Sequence, residues 1–280
     1  MNRTGSIAIK PALHARHLML LLAAVALVGF LCLRILAMET ADRLPQGIIG
    51  YRLDGREVWV RADGHTVAKP EGIDDEAITA NGGEFRSPDG RIVAFMDLSN
   101  AGAWLSVREG ESVRRVGRLA EPGSPRLLPD GGKGAALETG GVPLVVAWSP
   151  DSQTLAWGSV TEPPYNLHIA KRGEWDVRSL PLIGGWVGEL AWSPDGRFLA
   201  ISTYAENRTD HTLLMFDTLG NEVPRQLAKG CVVVWSPDSR HLALHGEPKS
   251  QPGLWVVAVD GRARQITEQT AVAPFVWLAD

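Results

Sequence analysis

Residues that could carry acid–base, metal or nucleophilic chemistry are present in this chain, but not at the spacings such chemistry needs. Seven histidines are scattered through it. His14 and His17 flank an apolar N-terminal run, and His65, His168, His211, His241 and His245 show no metal-ligand spacing. His241 and His245 are four apart, which on a strand puts them on one face about 13 Å from each other, too far for one zinc. The two cysteines, Cys32 and Cys231, cannot pair, because Cys32 sits inside the apolar run. A Gly-x-Ser-x-Gly nucleophile elbow and a phosphate-cradling Gly-x-x-x-x-Gly-Lys are both missing from the sequence. The expectation is therefore no catalytic residue, no metal and no cofactor.

The remaining polar residues of note come in copies. Ser87-Pro88-Asp89, Ser149-Pro150-Asp151, Ser193-Pro194-Asp195 and Ser236-Pro237-Asp238 recur too regularly to be one active site. Equivalent turns in a ring point away from one another, so the four aspartates read as turn caps. Proline presets φ near −65° and aspartate accepts from the backbone two residues on. An aromatic residue precedes each turn, and Trp148, Trp192, Trp235 and Trp277 succeed one another at steps of 44, 43 and 42 residues. These four read as core positions, as do Trp59, Trp104 and Trp255. Trp175 and Trp186 lie outside both series, in what reads as a fourth-strand region, and are the candidate contact residues.

The elements that position these residues are short strands. In each copy an apolar strand ends at tryptophan, the Ser-Pro-Asp turn comes next, then a second strand such as Arg197–Ser202, a third such as Leu254–Val259, and a more polar fourth such as Ala263–Thr267. A period of 40–50 residues is what one four-stranded propeller blade needs. Ten tryptophans and thirty glycines suit such a chain.

These repeats resemble the TolB-type propeller repeat, a relative of the Trp-Asp repeats, over about residues 47–280. The resemblance implies an all-β fold, a ring of blades around a channel used mostly as a binding platform. Arg56–Gly64 matches Leu254–Gly261 as a third strand, so the strand at Phe275-Val-Trp-Leu is expected to complete the first blade. That makes five blades, or six if the surplus stretch at Glu121–Gly141 is a blade rather than the favoured long loop.

Residues 1–17 are basic and are expected to stay cytoplasmic. Leu18–Leu33 is an unbroken apolar run that Ile35–Met38 extend past Arg34. At 1.5 Å per residue, 18–38 just spans a bilayer core of about 30 Å as a signal-anchor helix. Arg3, Lys10 and Arg16 precede it, so the positive-inside rule exports the remainder of the chain, a linker at 39–46 and the domain at 47–280. A cleaved signal peptide is the alternative. The chain has 28 basic and 32 acidic residues, and its first 38 residues hold four basic ones and no acid. The exported part is therefore net −8, which argues against a nucleic-acid partner. The reading reached is a single-pass, membrane-tethered platform, periplasmic or extracellular, for a protein of the cell envelope. A sensory ectodomain binding a small molecule or sugar in the channel is the second reading, and a propeller lyase or hydrolase the third. The loops 159–165, 204–211 and 246–252 are the expected specificity elements.

Overall fold

The computed structural model describes residues 45–53, 56–70, 84–99, 102–120, 145–158, 166–183, 185–205, 211–220, 223–246, 251–268 and 272–279. The basic N-terminus, the apolar run and the surplus stretch lie outside these residues, as do most of the three loops. Pro45–Asp280 forms one compact unit. Pro45 and Gln46, read as linker, belong to it, and the Gln46 carbonyl accepts the Trp277 Nε1–H at 2.9 Å.

Every described element is a strand, and the strands pair antiparallel in successive four-stranded units consistent with a β-propeller. The first unit holds β1 (Ile48–Leu53), β2 (Arg56–Arg61) and β3 (Thr66–Val67), with β19 (Val272–Leu278) as its opening strand. The last strand of the chain thus pairs with the first described one, Ile49 opposite Trp277, as the match between Arg56–Gly64 and Leu254–Gly261 anticipates. The second unit is β4 (Glu84–Arg86), β5 (Ile92–Ser99), β6 (Gly102–Glu109) and β7 (Ser112–Ala120). The third is β8 (Val146–Trp148), β9 (Thr154–Gly158), β10 (Asn166–Lys171) and β11 (Val177–Pro181).

The remaining seven strands form one continuous sheet: β12 (Trp186–Trp192), β13 (Phe198–Tyr204), β14 (His211–Asp217), β15 (Arg225–Trp235), β16 (His241–Gly246), β17 (Gly253–Ala258) and β18 (Ala263–Thr267). Its centre, β15, serves twice. Arg225–Lys229 closes the fourth unit against β14, and Gly230–Trp235 opens the fifth against β16. Gly230 permits the switch: it holds φ 148°, and a Cβ there would lie 2.5 Å from Leu244 Cδ1 and 2.6 Å from the His245 carbonyl.

The core consists of seams between successive units. Ile92, Leu105, Leu155 and Trp157 fill the seam of units two and three. Ala156, Leu199, Ile201 and Phe216 fill that of three and four, and Met215, Trp235, Leu242 and Trp255 that of four and five. Ile49, Val60, Leu254 and Trp277 join the fifth unit to the first. Burying each large apolar side chain contributes about 1.5–3 kcal/mol, and alternation along each strand sends successive side chains to opposite seams.

Candidate functional site

The four Ser-Pro-Asp turns share one hydrogen-bond pattern. In the first, Ser87 Oγ donates to Asp89 Oδ1 at 2.6 Å, the Arg91 N–H donates to the same oxygen, and the Ile92 N–H donates to Ser87 Oγ. Asp151, Asp195 and Asp238 accept in the same way from Gln153, Arg197 and Arg240. The serines are the buried hubs: Ser87, Ser149, Ser193 and Ser236 are all nearly inaccessible. Each aspartate commits one carboxylate oxygen to its turn and directs the other outward.

The first three repeat tryptophans tie each unit to the one before it. Trp148 donates its indole N–H to the Phe85 carbonyl at 2.9 Å, Trp192 to Ala147 at 3.2 Å and Trp235 to Ala191 at 2.9 Å. Each of these acceptors lies on the opening strand of the preceding unit. Trp277 bonds instead to Gln46, because its unit is assembled from both ends of the chain. Trp148, Trp235 and Trp277 are buried, but Trp192 is only half-buried.

Trp192 is only half-buried because its seam is open at the turn end. The position facing each tryptophan from the preceding unit is Ile92, Thr154 or Phe198, three equivalent positions whose strand partners are Glu109, Lys171 and Asp217. Phe198 stacks on Trp235 with ring centroids 6.2 Å apart. Thr154 gives Trp192 no such cover.

Three more differences separate this seam from its neighbours. Ser152 and Ser239 hold left-handed backbones, φ 61° and 60°, and each hydroxyl accepts the backbone N–H of the preceding unit's turn aspartate, Asp89 at 2.9 Å and Asp195 at 3.0 Å. The equivalent residue in the fourth unit is Gly196, which offers Asp151 no hydroxyl. After the third strand, Arg172 reaches back to Asp89 Oδ2 at 2.7 Å and to Glu109, and Val259 packs into its seam. Thr218 stands there in the fourth unit, and its hydroxyl donates inward to the Arg197 carbonyl at 2.8 Å. Trp175, three residues after Arg172, folds back through a left-handed turn (φ 58°) to lie edge-on against Trp148 at 6.2 Å, whereas the residue three after Thr218 is Asn221, outside the described residues, and Leu219, in the groove lining, is 79% exposed.

The result is a groove of about 540 Å³ at the mouth of the seam between units three and four. Ile169, Trp192, Phe216 and Leu219 form its apolar lining, and Asp151, Glu174, Asp176 and Asp195 with Lys171, Arg178 and Arg197 its charged lining. Asp151 Oδ2, the Glu174 and Asp176 carboxylates and the Lys171 ammonium have no partner among the described residues. Asp89, by contrast, is saturated. Bonds from Ser87, the Arg91 N–H and Arg172 hold its carboxyl well below the usual range, and Arg172 is raised in turn by Glu109 and Asp89.

The candidate contact residues are placed differently from the sequence reading. Trp175 belongs to the turn between the third and fourth strands and is buried as the plug of its seam, which its left-handed backbone makes possible. Trp186 opens β12, the first strand of the fourth unit, and is half-buried. Three of the histidines, His168, His211 and His241, lie against aromatic rings, and His65 is exposed. His168 stacks on Trp157 at 5.3 Å and pairs with Ser179 Oγ at 2.9 Å, and burial lowers its pKa. Burial also lowers His241. Burial, then the Glu189 charge, pushes the Cys231 thiol up to about 11. Among the described residues no three His, Cys, Asp or Glu side chains are grouped to hold a metal ion.

No family model matches the chain, and no curated protein matches it. Among solved structures it is similar to TolB from Acinetobacter baumannii, at 16% identity over 84% of this chain and 55% of that one, TM-score 0.46. It is also similar to dipeptidyl peptidase 4 from Porphyromonas gingivalis, at 13% identity over 65% and 31% of the two chains, TM-score 0.47. A third is the β-propeller domain of the Trilobed protease from Pyrococcus furiosus, at 15% identity over 64% and 55%, TM-score 0.42. The chain thus spans about half the length of the Acinetobacter protein. Likeness at this level bears on the fold alone, and the fold itself rests on the strand order above.

Proposed function

We propose that this chain is a five-bladed β-propeller, tethered outside the cytoplasm by residues 18–38, that binds a protein partner in the cell envelope. The observation that carries the binding role is the open seam: a groove of about 540 Å³ with an apolar lining and unpaired charges at its rim, in a fold whose neighbouring seams are plugged by their own side chains. Grooves that combine apolar area with a few placed polar groups are what ligand and partner segments occupy. Support for five blades comes from the β19–β1 pairing and from the double use of β15. Support for the compartment comes from the basic residues before the apolar run. The reading is of binding rather than catalysis, and it is supported by the packing of His168 and His241 against aromatic rings and by the raised pKa of the Cys231 thiol.

The test is cross-linking and capture with the full-length chain in its native membrane, beside a control with residues 159–165 and 246–252 replaced by Gly-Ser. A stoichiometric envelope protein, reduced in the control, supports the reading. No specific protein, with both baits folded, sinks it. Protease accessibility of the domain from the cytoplasmic side of sealed vesicles would sink the topology.

A further inference from the structure

We propose that the groove between the third and fourth units receives a turn of a partner protein that presents a basic and an aromatic side chain together. The inference rests on the platform reading and names the chemistry of what that platform holds.

The chain itself shows what fills such a mouth. In the seam of units two and three, residues 172–175 form a turn, Arg-Gly-Glu-Trp, whose N–H at Trp175 bonds to the Lys171 carbonyl at 2.9 Å. Its Arg172 satisfies the outward oxygen of Asp89, and its Trp175 covers Trp148. The next seam repeats the aspartate and the tryptophan of the receiving half, with Lys171 in place of Glu109, and among the described residues lacks the inserted arginine. Asp151 stands where Asp89 does, with Oδ2 unpaired, and Trp192 stands where Trp148 does, half-buried. Thr218 replaces the arginine, and three residues on, where Trp175 follows Arg172, the sequence has Asn221, which lies outside the described residues. An occupant that supplies a cation to Asp151 and an aromatic ring to Trp192 therefore restores contacts this fold already makes once.

Charge selects the same occupant. Four carboxylates, Asp151, Glu174, Asp176 and Asp195, line the groove with three cations, Lys171, Arg178 and Arg197; Arg197 is engaged by Asp217 and Arg178 lies over the Phe216 ring, so the lining keeps a small acidic excess that favours a basic segment over an acidic one. Lys171 takes the place of Glu109, so the occupant's cation binds Asp151 alone, and a carboxylate beside that cation has Lys171 to meet. Phe216 is buried beneath the Arg178 guanidinium, 5.9 Å from its ring centroid, which leaves Trp192 as the exposed aromatic surface.

The probe is a fluorescein-labelled cyclic peptide of sequence KRGEWDV, the chain's own residues 171–177, titrated against the purified full-length chain by anisotropy up to about 1 mM. Asp151→Asn keeps the turn, because the amide oxygen still accepts from Ser149 and Gln153, but removes the charge. Thr218→Arg supplies internally the cation that Asp151 lacks. The expected result is saturable binding, weakened at least fivefold by Asp151→Asn and abolished by Thr218→Arg, with a peptide carrying Glu for Arg and Ala for Trp inactive. Absence of saturable binding, or affinity unchanged in both variants while their melting temperatures show them folded, overturns the proposal. An envelope partner captured equally by wild type and Thr218→Arg would leave the platform standing and remove the groove from it. Peptide binding without any captured partner would do the reverse.

Discussion

Ser152 offers the sharpest energetic test of how the units are joined. Its backbone is left-handed, φ 61°, a conformation that costs a non-glycine residue about 1–2 kcal/mol. Its hydroxyl offsets that cost by accepting the Asp89 N–H of the preceding unit at 2.9 Å. Ser152→Ala keeps the strained backbone, deletes the acceptor and strands a partly buried N–H, a loss of about 1–3 kcal/mol. Ser152→Gly loses the same bond but relieves the backbone, and gives back about 0.4–1 kcal/mol through the greater freedom of the unfolded chain. Glycine should therefore be the milder substitution, by about 0.5 kcal/mol. The predicted order of stability is wild type, then Ser152→Gly, then Ser152→Ala. At this chain length each kcal/mol moves the melting temperature by about 2–4 °C. Urea unfolding followed by tryptophan fluorescence, with a shared slope, reads the order from the midpoints. The same order is expected at Ser239, which serves Asp195. If Ser152→Ala unfolds at the wild-type midpoint, the bond between units is not made. If Ser152→Gly is the less stable of the two, the backbone is not strained as described.

Other consequences concern packing, pH and reactivity. Gly117→Ala places a Cβ 2.6 Å from Trp157 Cζ2, and this overpacking should cost about 1–3 kcal/mol, visible as a lowered urea midpoint; a neutral result would mean that the Trp157 ring lies elsewhere. Burial holds the folded-state pKa of His168 and His241 below the ordinary 6.5. The unfolded chain therefore binds protons first, and stability should fall as pH drops through that value toward the lowered ones. Replacing both histidines by Gln should flatten the dependence of the midpoint between about pH 7.5 and 5.5, and an unchanged slope would contradict the assignment. Cys231, with its pKa near 11, should react slowly with a disulfide reagent in a folded Cys32→Ser chain and rapidly once urea unfolds it; equal rates would show an exposed thiol.

The strand plan was readable because it is written in copies. The tryptophan period, the Ser-Pro-Asp turns and the likeness of Arg56–Gly64 to Leu254–Gly261 anticipate the unit length and the pairing of β19 with β1. The fourth residue of each turn, Gly90, Ser152, Gly196 and Ser239, also alternates openly in the sequence. What that alternation does depends on a backbone N–H in the preceding unit, some 44 or 63 residues away, and no local pattern identifies that partner. The groove was hidden for a related reason. It arises where Thr154, Gly196 and Thr218 each fail to supply a contact that equivalent residues supply, and the equivalences come from strand register. Trp175 stood out only as a candidate contact because its burial depends on a left-handed turn that no local pattern announces.

The most direct measurement places a photo-cross-linking amino acid at Leu219, on the rim of the groove, and separately at exposed Val113 on β7, in the full-length chain in its native membrane. A single protein adduct from position 219, absent from position 113 and lost when Asp151→Asn is added, is the predicted result. An adduct from position 219 that survives Asp151→Asn, or none at all while position 113 gives one, would contradict the claim that the partner docks at this seam.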